Sequence, residues 1–527
     1  MNILFGSVTG TAENLARSAA KLARARGHDV NITELDEVSM DDLATMDDVL
    51  IVVSTYGEGE MPFNAELFWD EIEAAPPVLQ GLKYGVLALG DTAYEQFCQA
   101  GKDIDAMLEA CGATRRVDRV DCDLNYEKDA QAWIEAAIPM AGDGEVVSVE
   151  ALAEEEEEEA WSRSNPFPAL ILENRKLSGE GSTKDMRHIV LSLEGSGLTY
   201  EAGDCVGIVP KNDPELVQQF LRRLNKTWVT RLPGYDVPLG ELLTSRLEIL
   251  TPSKALIDGV GAVVQDADLQ TALNGTREEY EAYFWGKDVI DVLNIDPRLV
   301  VGADILIPLL SPLQHRSYSI ASTPVCHGDE VHLTVAAVRW ESERSYGGVC
   351  STFLADRLEE GETAGLFPIP NKRFRVPAPD VPMIMVGPGT GIAPYLGFLA
   401  ERYAAGAKGE TWLYTGDRNR DCDHCYEEEL VGFEASGALS HLRLAFSRDG
   451  AQKTYVQHLM AEDGAALWQA IEAGAHIYLC GDAKRMAPDV EATLVRIIAE
   501  HGQMTERYAE DRLAQLRRQG RYVKDVY

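Results

Sequence analysis

The sequence has 527 residues and carries a formal net charge of −38; 45% of the residues are hydrophobic and 25% are charged, the balance of an ordinary globular protein. A chain of this length is too long for one hydrophobic core, so we expect three or four domains. The negative charge argues against nucleic acid and anionic membranes as partners. No apolar run could span a bilayer, and residues 1–6 already have the pattern of a buried strand. We therefore expect no signal peptide and no membrane anchor.

The nine cysteines are odd in number and scattered, which indicates free thiols in a reducing compartment such as the cytoplasm. Cys422 and Cys425 form a solitary C-x-x-C pair without a second pair to complete a tetrahedral site. We therefore predict no metal site.

The first predicted strand, residues 2–6, runs directly into a hydroxyl- and glycine-rich turn at 7–13 and then an amphipathic helix. Such a turn lets backbone N–H groups close on a phosphate at the helix N-terminus. An ordinary helix cap would use the same residue types. The turn contains no lysine or arginine, which favours a phosphate monoester over a nucleoside triphosphate.

Predicted strands at 49–53 and 85–89 each run into a polar loop that carries a tyrosine, Tyr56 or Tyr94, and a strand near 117–120 ends in an acidic loop. Strands that alternate with helices predict a doubly wound parallel sheet, with ligands at the carboxyl ends of the strands. The two tyrosines are placed to stack on both faces of one flat ring. A tyrosine in a turn is otherwise a surface residue.

Residues 1–140 resemble flavodoxin, which implies an FMN site. The residues implied to hold the phosphate are Ser7, Thr9, Gly10, Thr11 and Ala12. The resemblance also implies that the flavin ring lies between Tyr56 and Tyr94. The same loops add Gly57, Phe97 and Asp123 to the predicted site.

Six consecutive glutamates at 154–159 predict an extended, solvated tether, or equally a passive spacer. A proline-rich segment at 165–168 marks a new domain, which is β-rich to residue 209. Residues 212–312 are helical and irregular in character and are interpreted as an insertion.

Arg316, Tyr318 and Ser319 offer a guanidinium, an aromatic plane and a hydroxyl within one short strand. FAD needs a fork for its pyrophosphate, a surface for its ring and a hydrogen-bonding group near its reactive nitrogen. Gly348, before a hydroxyl-bearing helix start, is a second anion cradle or a routine turn. Trp340 is a candidate platform for adenine, with a structural tryptophan as the alternative.

The last domain opens on a buried strand at 381–386 and a glycine-rich loop containing Gly389 and Thr390, followed by a helix. Glycines in that position let backbone approach a dinucleotide pyrophosphate. Hydroxyls and cations cluster after a later strand, as a 2′-phosphate requires, so we predict NADPH over NADH. The cluster comprises Ser447, Arg448, Lys453, Tyr455 and the nearby Gln457.

In this order, the motifs resemble those of the diflavin reductase family over essentially the whole chain. Within that family the chain is most similar to the flavoprotein subunits of bacterial assimilatory NADPH sulfite reductase, in the segments 165–168, 200–207, 211–217 and 525–527. The resemblance implies that Tyr527 covers the FAD ring and moves for nicotinamide to stack. It places Ser319 beside the hydride-accepting nitrogen and makes Asp525 an acidic partner.

The resemblance also implies roles for a set of residues at the pyrophosphate of FAD. These are Gly348, Val349, Cys350 and Ser351. The cysteine that related monooxygenase reductases carry near the hydride path is replaced here by Asp417.

The predicted fold class is multidomain α/β: a flavodoxin-like parallel sheet, then a ferredoxin-NADP reductase-like module built from an antiparallel barrel and an α/β nucleotide domain. The predicted segments are 1–142 for FMN, 143–162 for the acidic linker, 163–378 for FAD with an insert at about 212–312, and 379–527 for NADPH.

The predicted function is electron transfer from NADPH through FAD and FMN to an external acceptor, with a sirohaem subunit as the leading partner. Two alternatives remain open at this point. One is a free-standing reductase serving a monooxygenase or another haem protein, and the other is a flavin redox sensor without turnover.

Overall fold

The computed structural model describes residues 1–7, 10–57, 59–92, 94–141, 161–342 and 344–527. These residues form two compact units. The first unit combines Met1–Glu159 with Gln218–Leu313, and the second combines Ala160–Val217 with Gln314–Tyr527. The predicted linker, 143–162, lies outside the described residues except at its last two positions. Along the ranges just given, no helix combines the length and the hydropathy needed to cross a bilayer.

The amino-terminal sheet of the first unit is parallel. Its strands are β1 Asn2–Gly6, β2 Asn31–Glu34, β3 Asp48–Ser54, β4 Lys83–Leu89, β5 Thr114–Arg115 and β6 Val120–Cys122. They lie in the order β2-β1-β3-β4-β5, with β6 beside β4. The helices that connect them are Thr11–Ala25, Met40–Thr45, Glu66–Ala74, Gln99–Ala110 and Glu127–Ala137. Two buried apolar clusters include residues of both strands and helices, which explains why the central strands are apolar throughout.

The strand predicted near residues 117–120 is misplaced. The structure has β5 at Thr114–Arg115 and β6 at Val120–Cys122 instead. The preceding residues make side-chain contacts instead: Trp133 Nε1 donates to the Asp118 carbonyl at 2.9 Å, and Arg119 pairs with Asp121 at 2.7 Å. The Asp118 carbonyl is thereby drawn away from the ladder with β4.

The second unit begins with an antiparallel sheet. Its strands are β7 Phe167–Lys176, β8 Met186–Ser192, β9 Cys205–Val209, β10 Arg316–Ser319, β11 Glu330–Ala336 and β14 Thr363–Ile369, and a separate pair consists of β12 Arg339–Glu341 and β13 Ser345–Gly347. The sheet order is β10-β9-β14-β7-β8-β11. A bridge between Ile320 and Leu333 joins the two ends of that order, so the sheet closes into a barrel. The helices after its strands are Pro324–His327 and Val349–Asp356.

The apolar pattern at 331–340 predicts a single strand, which is wrong because the chain breaks between β11 and β12. Ala337 N–H bonds to the Asp185 carbonyl at 2.8 Å, and Val338 N–H bonds to Ser351 Oγ at 3.1 Å. These contacts turn the chain, and β12 then pairs with β13 rather than with β8.

The chain between β9 and β10 is helical, as its composition predicts. The helices there are Pro214–Arg223, Leu239–Ser245, Lys254–Val263, Ala267–Asn274, Arg277–Phe284, Val289–Leu293 and Ala303–Leu306. Several begin at hydroxyl or carboxylate caps; for example, the Thr276 side chain and Glu279 form a capping box.

The nucleotide sheet of the second unit is parallel. Its strands are β15 Met383–Val386, β16 Thr411–Asp417, β17 His441–Phe446, β18 His476–Gly481 and β19 Tyr522–Val526, in the order β17-β16-β15-β18-β19. The helices are Ala393–Ala404, Arg420–Asp423, Glu427–Ser436, Val456–Glu462, Gly464–Glu472, Met486–His501 and Glu506–Arg518. The sequence predicts the first four strands, at 381–386, 411–415, 443–446 and 476–480. It misses β19, because an edge strand with a polar centre gives no apolar run.

The barrel and the nucleotide sheet share one buried cluster. Phe374 packs on Phe398 and Tyr478 with ring centroids 5.4 and 5.3 Å away, and Ala321 of the barrel belongs to the same cluster. The Phe374 carbonyl passes so close to Gly203 that a side chain there would lie 1.8 Å from its oxygen. This packing fixes the end of β10 relative to the nucleotide sheet.

Candidate functional site

The first candidate site begins at the carboxyl end of β1. The helix Thr11–Ala25 starts at Gly10, whose φ of 78° lies in the left-handed region that favours glycine. Ser7 Oγ accepts a hydrogen bond from Ala12 N–H at 3.2 Å, and Ser7 N–H donates to Asn64 Oδ1 at 2.8 Å. The turn therefore presents backbone and hydroxyl donors at a helix N-terminus, which fits a phosphate monoester.

Two tyrosines follow the neighbouring strands β3 and β4. Tyr56 N–H donates to the Glu60 carbonyl at 2.9 Å, and its ring lies 4.8 Å from the Phe63 ring. This tight turn uses Gly57 at a φ of 54°. Tyr94 exposes 46% of its surface. Because β1, β3 and β4 are adjacent, the loops that follow them lie at the same edge of the sheet.

The Tyr94 loop is held from two sides. Asp123 accepts hydrogen bonds from Thr92 Oγ1 at 2.6 Å and from Thr92 N–H at 3.1 Å. Glu95 pairs with Arg277 of the helical insert at 3.0 Å. These contacts give Asp123 a positioning role in the loop, which its place in the sequence does not show.

Two further residues of the predicted FMN set stand apart from these contacts. Phe97 is partly buried in the same loop. Thr9 lies outside the described residues, so its predicted role stays a prediction.

The second candidate site is built on β10. Arg316 is exposed and donates to the carbonyls of Gln314 and His315 at 3.1 Å each. Tyr318 packs against the barrel core, and burial raises the pKa of its hydroxyl. Residues two apart share a face of a strand, so one face of β10 carries both a guanidinium and an aromatic ring.

A helix N-terminus faces this region of the barrel. Gly348 precedes the helix Val349–Asp356, and a side chain at this glycine would lie 2.8 Å from Ser351 Oγ. That hydroxyl accepts from Val338 N–H, which fixes it. Burial raises the pKa of the Cys350 thiol to about 11, so the thiol is neutral at pH 7. A neutral helix start kept open by glycine fits a diphosphate.

Trp340 combines a flat surface with an unpaired donor. Its indole is parallel to the Tyr346 ring within 4°, with centroids 5.6 Å apart. Within the described ranges, its buried Nε1 has no hydrogen-bond partner. The flat indole, rather than the buried Nε1, is the feature that fits the predicted adenine platform.

Ser319 and Asp525 join the barrel to the nucleotide sheet. Ser319 Oγ donates to Asp525 Oδ2 at 2.6 Å. Two thiols approach the same pair: Cys480 Sγ lies 3.8 Å from Asp525 Oδ2, and Cys205 Sγ lies 3.9 Å from Ser319 Oγ. Burial raises the pKa of the Asp525 carboxyl and, with help from that carboxyl, the pKa of both thiols. The carboxyl thus accepts from one hydroxyl and one neutral thiol.

The loop after β15 approaches the end of β18. A side chain at Gly391 would lie 2.2 Å from the Cys480 carbonyl oxygen, so this approach requires glycine. Gly389 has a φ of 63°. Between them, Thr390 Oγ1 lies 2.7 Å from Tyr527 Oη, in a hydrogen bond that either hydroxyl can donate. The loop therefore meets the end of β19.

A cation from the barrel lies beside this loop. Lys184 pairs with the buried Asp417 carboxylate at 2.7 Å. A side chain at Gly389 would lie 3.7 Å from Lys184 Nζ and from Asp417 Oδ2. The Lys184–Asp417 ion pair therefore lies beside the loop, with its ammonium and carboxylate groups equally close to Gly389.

The predicted 2′-phosphate cluster follows β17. Ser447 N–H donates to the Asp417 carbonyl at 3.0 Å, and Arg448 N–H donates to the Arg418 carbonyl at 2.7 Å. Arg418 and Arg448 are thus main-chain neighbours at the sheet edge. The side chains of Arg448 and Lys453 are exposed to solvent.

The remaining two residues of that cluster lie at the following helix. Tyr455 precedes the helix Val456–Glu462 and exposes 41% of its surface. Gln457 Nε2 donates to Asp489 at 3.0 Å, so its amide has a structural partner in the protein.

Sequence reasoning misses five residues of these sites. Four of them come from segments remote from the motifs they join, and no local pattern marks them. Arg418 could have been found from the sequence, because it lies three residues after the strand predicted at 411–415, at the ligand-binding edge of the sheet. The five residues are Asn64, Lys184, Cys205, Arg418 and Cys480.

In the part of the chain that the structure describes, no group of three or more histidine, cysteine, aspartate or glutamate side chains could hold a metal ion. Cys422 and Cys425 are free thiols.

Comparison with protein families agrees with these three sites. Residues 3–133 match the flavodoxin family, residues 159–353 match an FAD binding domain, and residues 385–492 match an oxidoreductase NAD-binding domain. In this order, the three modules define a diflavin oxidoreductase.

Curated relatives cover the whole chain. The sulfite reductase flavoprotein alpha-component of Bacillus subtilis is 41% identical over 538 aligned positions, covering 100% of this chain and 89% of the relative. Those of Vibrio parahaemolyticus and Mannheimia succiniciproducens are each 38% identical, with 86% and 90% of the relative covered. The chain belongs to the sulfite reductase flavoprotein alpha-component family. The predicted family, fold class and cofactor set of FMN, FAD and NADPH are confirmed.

Replacing Ser319 by Ala removes the hydroxyl that bonds Asp525. A hydrogen bond to a charged group contributes about 1.5–3 kcal/mol, so we expect anaerobic FAD reduction by NADPH to slow by roughly tenfold or more. Stopped-flow absorbance measures this rate. Ser317→Ala, at an exposed position of the same strand, is the control; equal rates in the two variants would contradict a role for Ser319.

Replacing Asp525 by Asn removes a carboxyl whose pKa is raised by burial. A raised folded-state pKa means that the folded protein binds the proton more tightly, so the carboxyl favours folding at low pH and loses that contribution as pH rises. We therefore expect the melting temperature of Asp525→Asn, relative to wild type, to be higher at pH 8 than at pH 4.5. Asp380→Asn, at an exposed site, is the control, and its melting temperature should differ from that of wild type by the same amount at pH 4.5 and pH 8. Scanning calorimetry measures the melting temperatures. A difference between Asp525→Asn and wild type that is the same at pH 4.5 and pH 8 would contradict this expectation.

Proposed function

We propose that this protein transfers electrons from NADPH through FAD and FMN to the sirohaem subunit of an assimilatory sulfite reductase in the cytoplasm. The observation that carries the proposal is the Ser319–Asp525 contact, which joins a flavin-type barrel to a nucleotide sheet. The names of the relatives support the sulfite reductase partner. All nine cysteines are free thiols, which suits a reducing compartment.

We divide the chain into the four predicted segments: 1–142 for FMN, 143–162 as a linker, 163–378 for FAD with its insert, and 379–527 for NADPH. When bound, the two flavins supply the change from a two-electron hydride donor to one-electron transfer. The chain itself binds, orients and shields these groups.

In the FMN module, the turn from Ser7 to Ala12 holds the phosphate, and Tyr56 and Tyr94 enclose the ring. Asp123 keeps the Tyr94 loop in place through its bonds to Thr92. The FMN phosphate is a monoester, and the neutral donors of a helix start suit it.

In the FAD module, Arg316 and the helix start at Gly348 would hold the pyrophosphate. Tyr318 would bind the flavin ring, and Trp340 would offer its indole face to adenine. Tyr527 would cover the flavin ring.

At the hydride site, Ser319 donates to Asp525, which fixes the direction of its hydroxyl. Ser319 would then lie beside the flavin nitrogen that accepts the hydride. Asp525 can retain a proton, because burial raises the pKa of its carboxyl. No strong general base is required, since positioning and electrostatics bring the donor and acceptor together.

In the nucleotide module, the loop of Gly389 and Thr390 binds the pyrophosphate. The hydroxyls and cations after β17 select the 2′-phosphate of NADPH. Each charge-assisted hydrogen bond of this kind contributes roughly 1.5–3 kcal/mol.

Replacing Arg448 by Ala should raise the Michaelis constant for NADPH about tenfold or more, because a guanidinium–phosphate contact is lost. The constant for NADH, which lacks the 2′-phosphate, should barely change. Steady-state kinetics with both nucleotides measure the effect, and Arg507→Ala on an exposed helix face is the control. An equal effect on NADPH and NADH would defeat the assignment.

The sulfite reductase assignment is tested by reconstitution. Flavin-loaded protein is mixed with a sirohaem sulfite reductase subunit, NADPH and sulfite, and sulfide is quantified against mixtures lacking one component. We expect NADPH-dependent sulfide only in the complete mixture. Rapid cytochrome c reduction without sulfide would instead indicate a reductase for another haem protein.

A further inference from the structure

We propose that the Thr390 hydroxyl is a positioning group that holds the Tyr527 ring over the flavin until nicotinamide displaces it. The inference deepens the proposed function and rests on the placement of the nucleotide at the loop after β15. It assigns to Thr390 a role beyond contact with the nucleotide.

The main chain of Tyr527 is fixed on both sides. Its N–H donates to the Gly481 carbonyl at 2.9 Å, and its main-chain oxygen accepts from Ala483 N–H at 3.1 Å. The preceding residue, Val526, is paired with Gly481 in the sheet. The ring can therefore leave its position only by rotating its side-chain torsions.

Protein neighbours cover less than half of the Tyr527 surface, which is 57% exposed. The 2.7 Å hydrogen bond between Tyr527 Oη and Thr390 Oγ1 is a directional contact at the far end of the side chain. Holding that end restrains both torsions at once.

The position of Thr390 is set by the loop rather than by Tyr527. Gly391 packs so closely on the Cys480 carbonyl that no side chain fits there, and Gly389 adopts a left-handed conformation. The Thr390 hydroxyl is therefore presented to the end of β19 by a rigid turn.

The hydrogen bond between Thr390 and Tyr527 couples release of the Tyr527 ring to nucleotide binding. A nicotinamide that stacks on the flavin needs the space of the Tyr527 ring, so the bond to Thr390 must break. The released Thr390 hydroxyl can then donate to the nucleotide pyrophosphate, which has only acceptor oxygens. The hydrogen bond thus opposes nicotinamide entry, while the pyrophosphate offers Thr390 a replacement partner.

A double-mutant cycle tests the proposal by equilibrium binding, without turnover. Dissociation constants for NADP⁺ are measured from flavin absorbance changes in flavin-loaded wild type, Tyr527→Phe, Thr390→Val and the double variant. Tyr527→Phe keeps the ring and removes one hydroxyl, so we expect NADP⁺ to bind about two- to tenfold more tightly. In the Thr390→Val background the same replacement should change nothing, because the bond is already absent.

Two controls separate the bond from direct contacts. Thr390→Ser keeps the hydroxyl, so the effect of Tyr527→Phe should persist in that background. Adenosine 2′,5′-bisphosphate lacks nicotinamide and does not require the ring to move. Its affinity, measured by calorimetry, should therefore be the same in wild type and in Tyr527→Phe.

The outcomes are distinguishable. The positioning role is excluded if Tyr527→Phe changes NADP⁺ affinity by the same factor in the wild-type and Thr390→Val backgrounds. It is also excluded if Tyr527→Phe leaves NADP⁺ affinity unchanged. The proposed function stands in both cases. If wild-type protein binds neither NADP⁺ nor adenosine 2′,5′-bisphosphate, the proposed function itself fails.

Discussion

The hydrogen bond from Ser319 to Asp525 is the interaction on which the rest of this structure depends. It connects the last residue of a barrel strand to an edge strand of a parallel sheet, more than 200 residues later in the chain. A hydride can pass only between groups held in contact, so a reductase of this kind must fix a flavin surface against a nucleotide surface. This bond, with the shared aromatic core beneath it, fixes those two surfaces.

Close main-chain approaches bring the other parts to that junction. Gly391 allows the nucleotide loop to touch the end of β18, and Gly203 allows the barrel to touch the chain at Phe374. Each glycine is required by a carbonyl oxygen that would clash with any side chain. Backbone packing at these two glycines therefore brings the barrel and the nucleotide sheet close enough for the Ser319–Asp525 bond to form.

The electrostatics of the two ends of the relay differ. The FMN phosphate turn relies on neutral donors at a helix start, whereas the nucleotide edge gathers Arg418 and Arg448 in a strongly acidic protein. A dinucleotide with a 2′-phosphate carries more charge than a flavin phosphate, so the cations lie where the larger negative charge binds. At the junction itself the thiols are neutral, and the carboxyl is the acidic group there.

Motifs with local meaning were predictable from the sequence, and contacts between remote segments were not. The phosphate turn, the two tyrosine loops and four nucleotide strands follow from residue type and periodicity. The strand near β6 was misplaced, because Trp133 and the Arg119–Asp121 pair redirect residues that look β-prone. Cys205 and Cys480 were missed, since only tertiary folding brings Cys205 to Ser319 and Cys480 to Asp525.

The central claim is that one chain binds two different flavins and that NADPH reduces both of them. Flavin extraction from the loaded protein, followed by anaerobic addition of NADPH to a matched sample, tests it most directly. The account predicts one FMN and one FAD per chain and bleaching of the whole flavin absorbance. A protein that carries a single kind of flavin, or that stays yellow after NADPH is added, would contradict it.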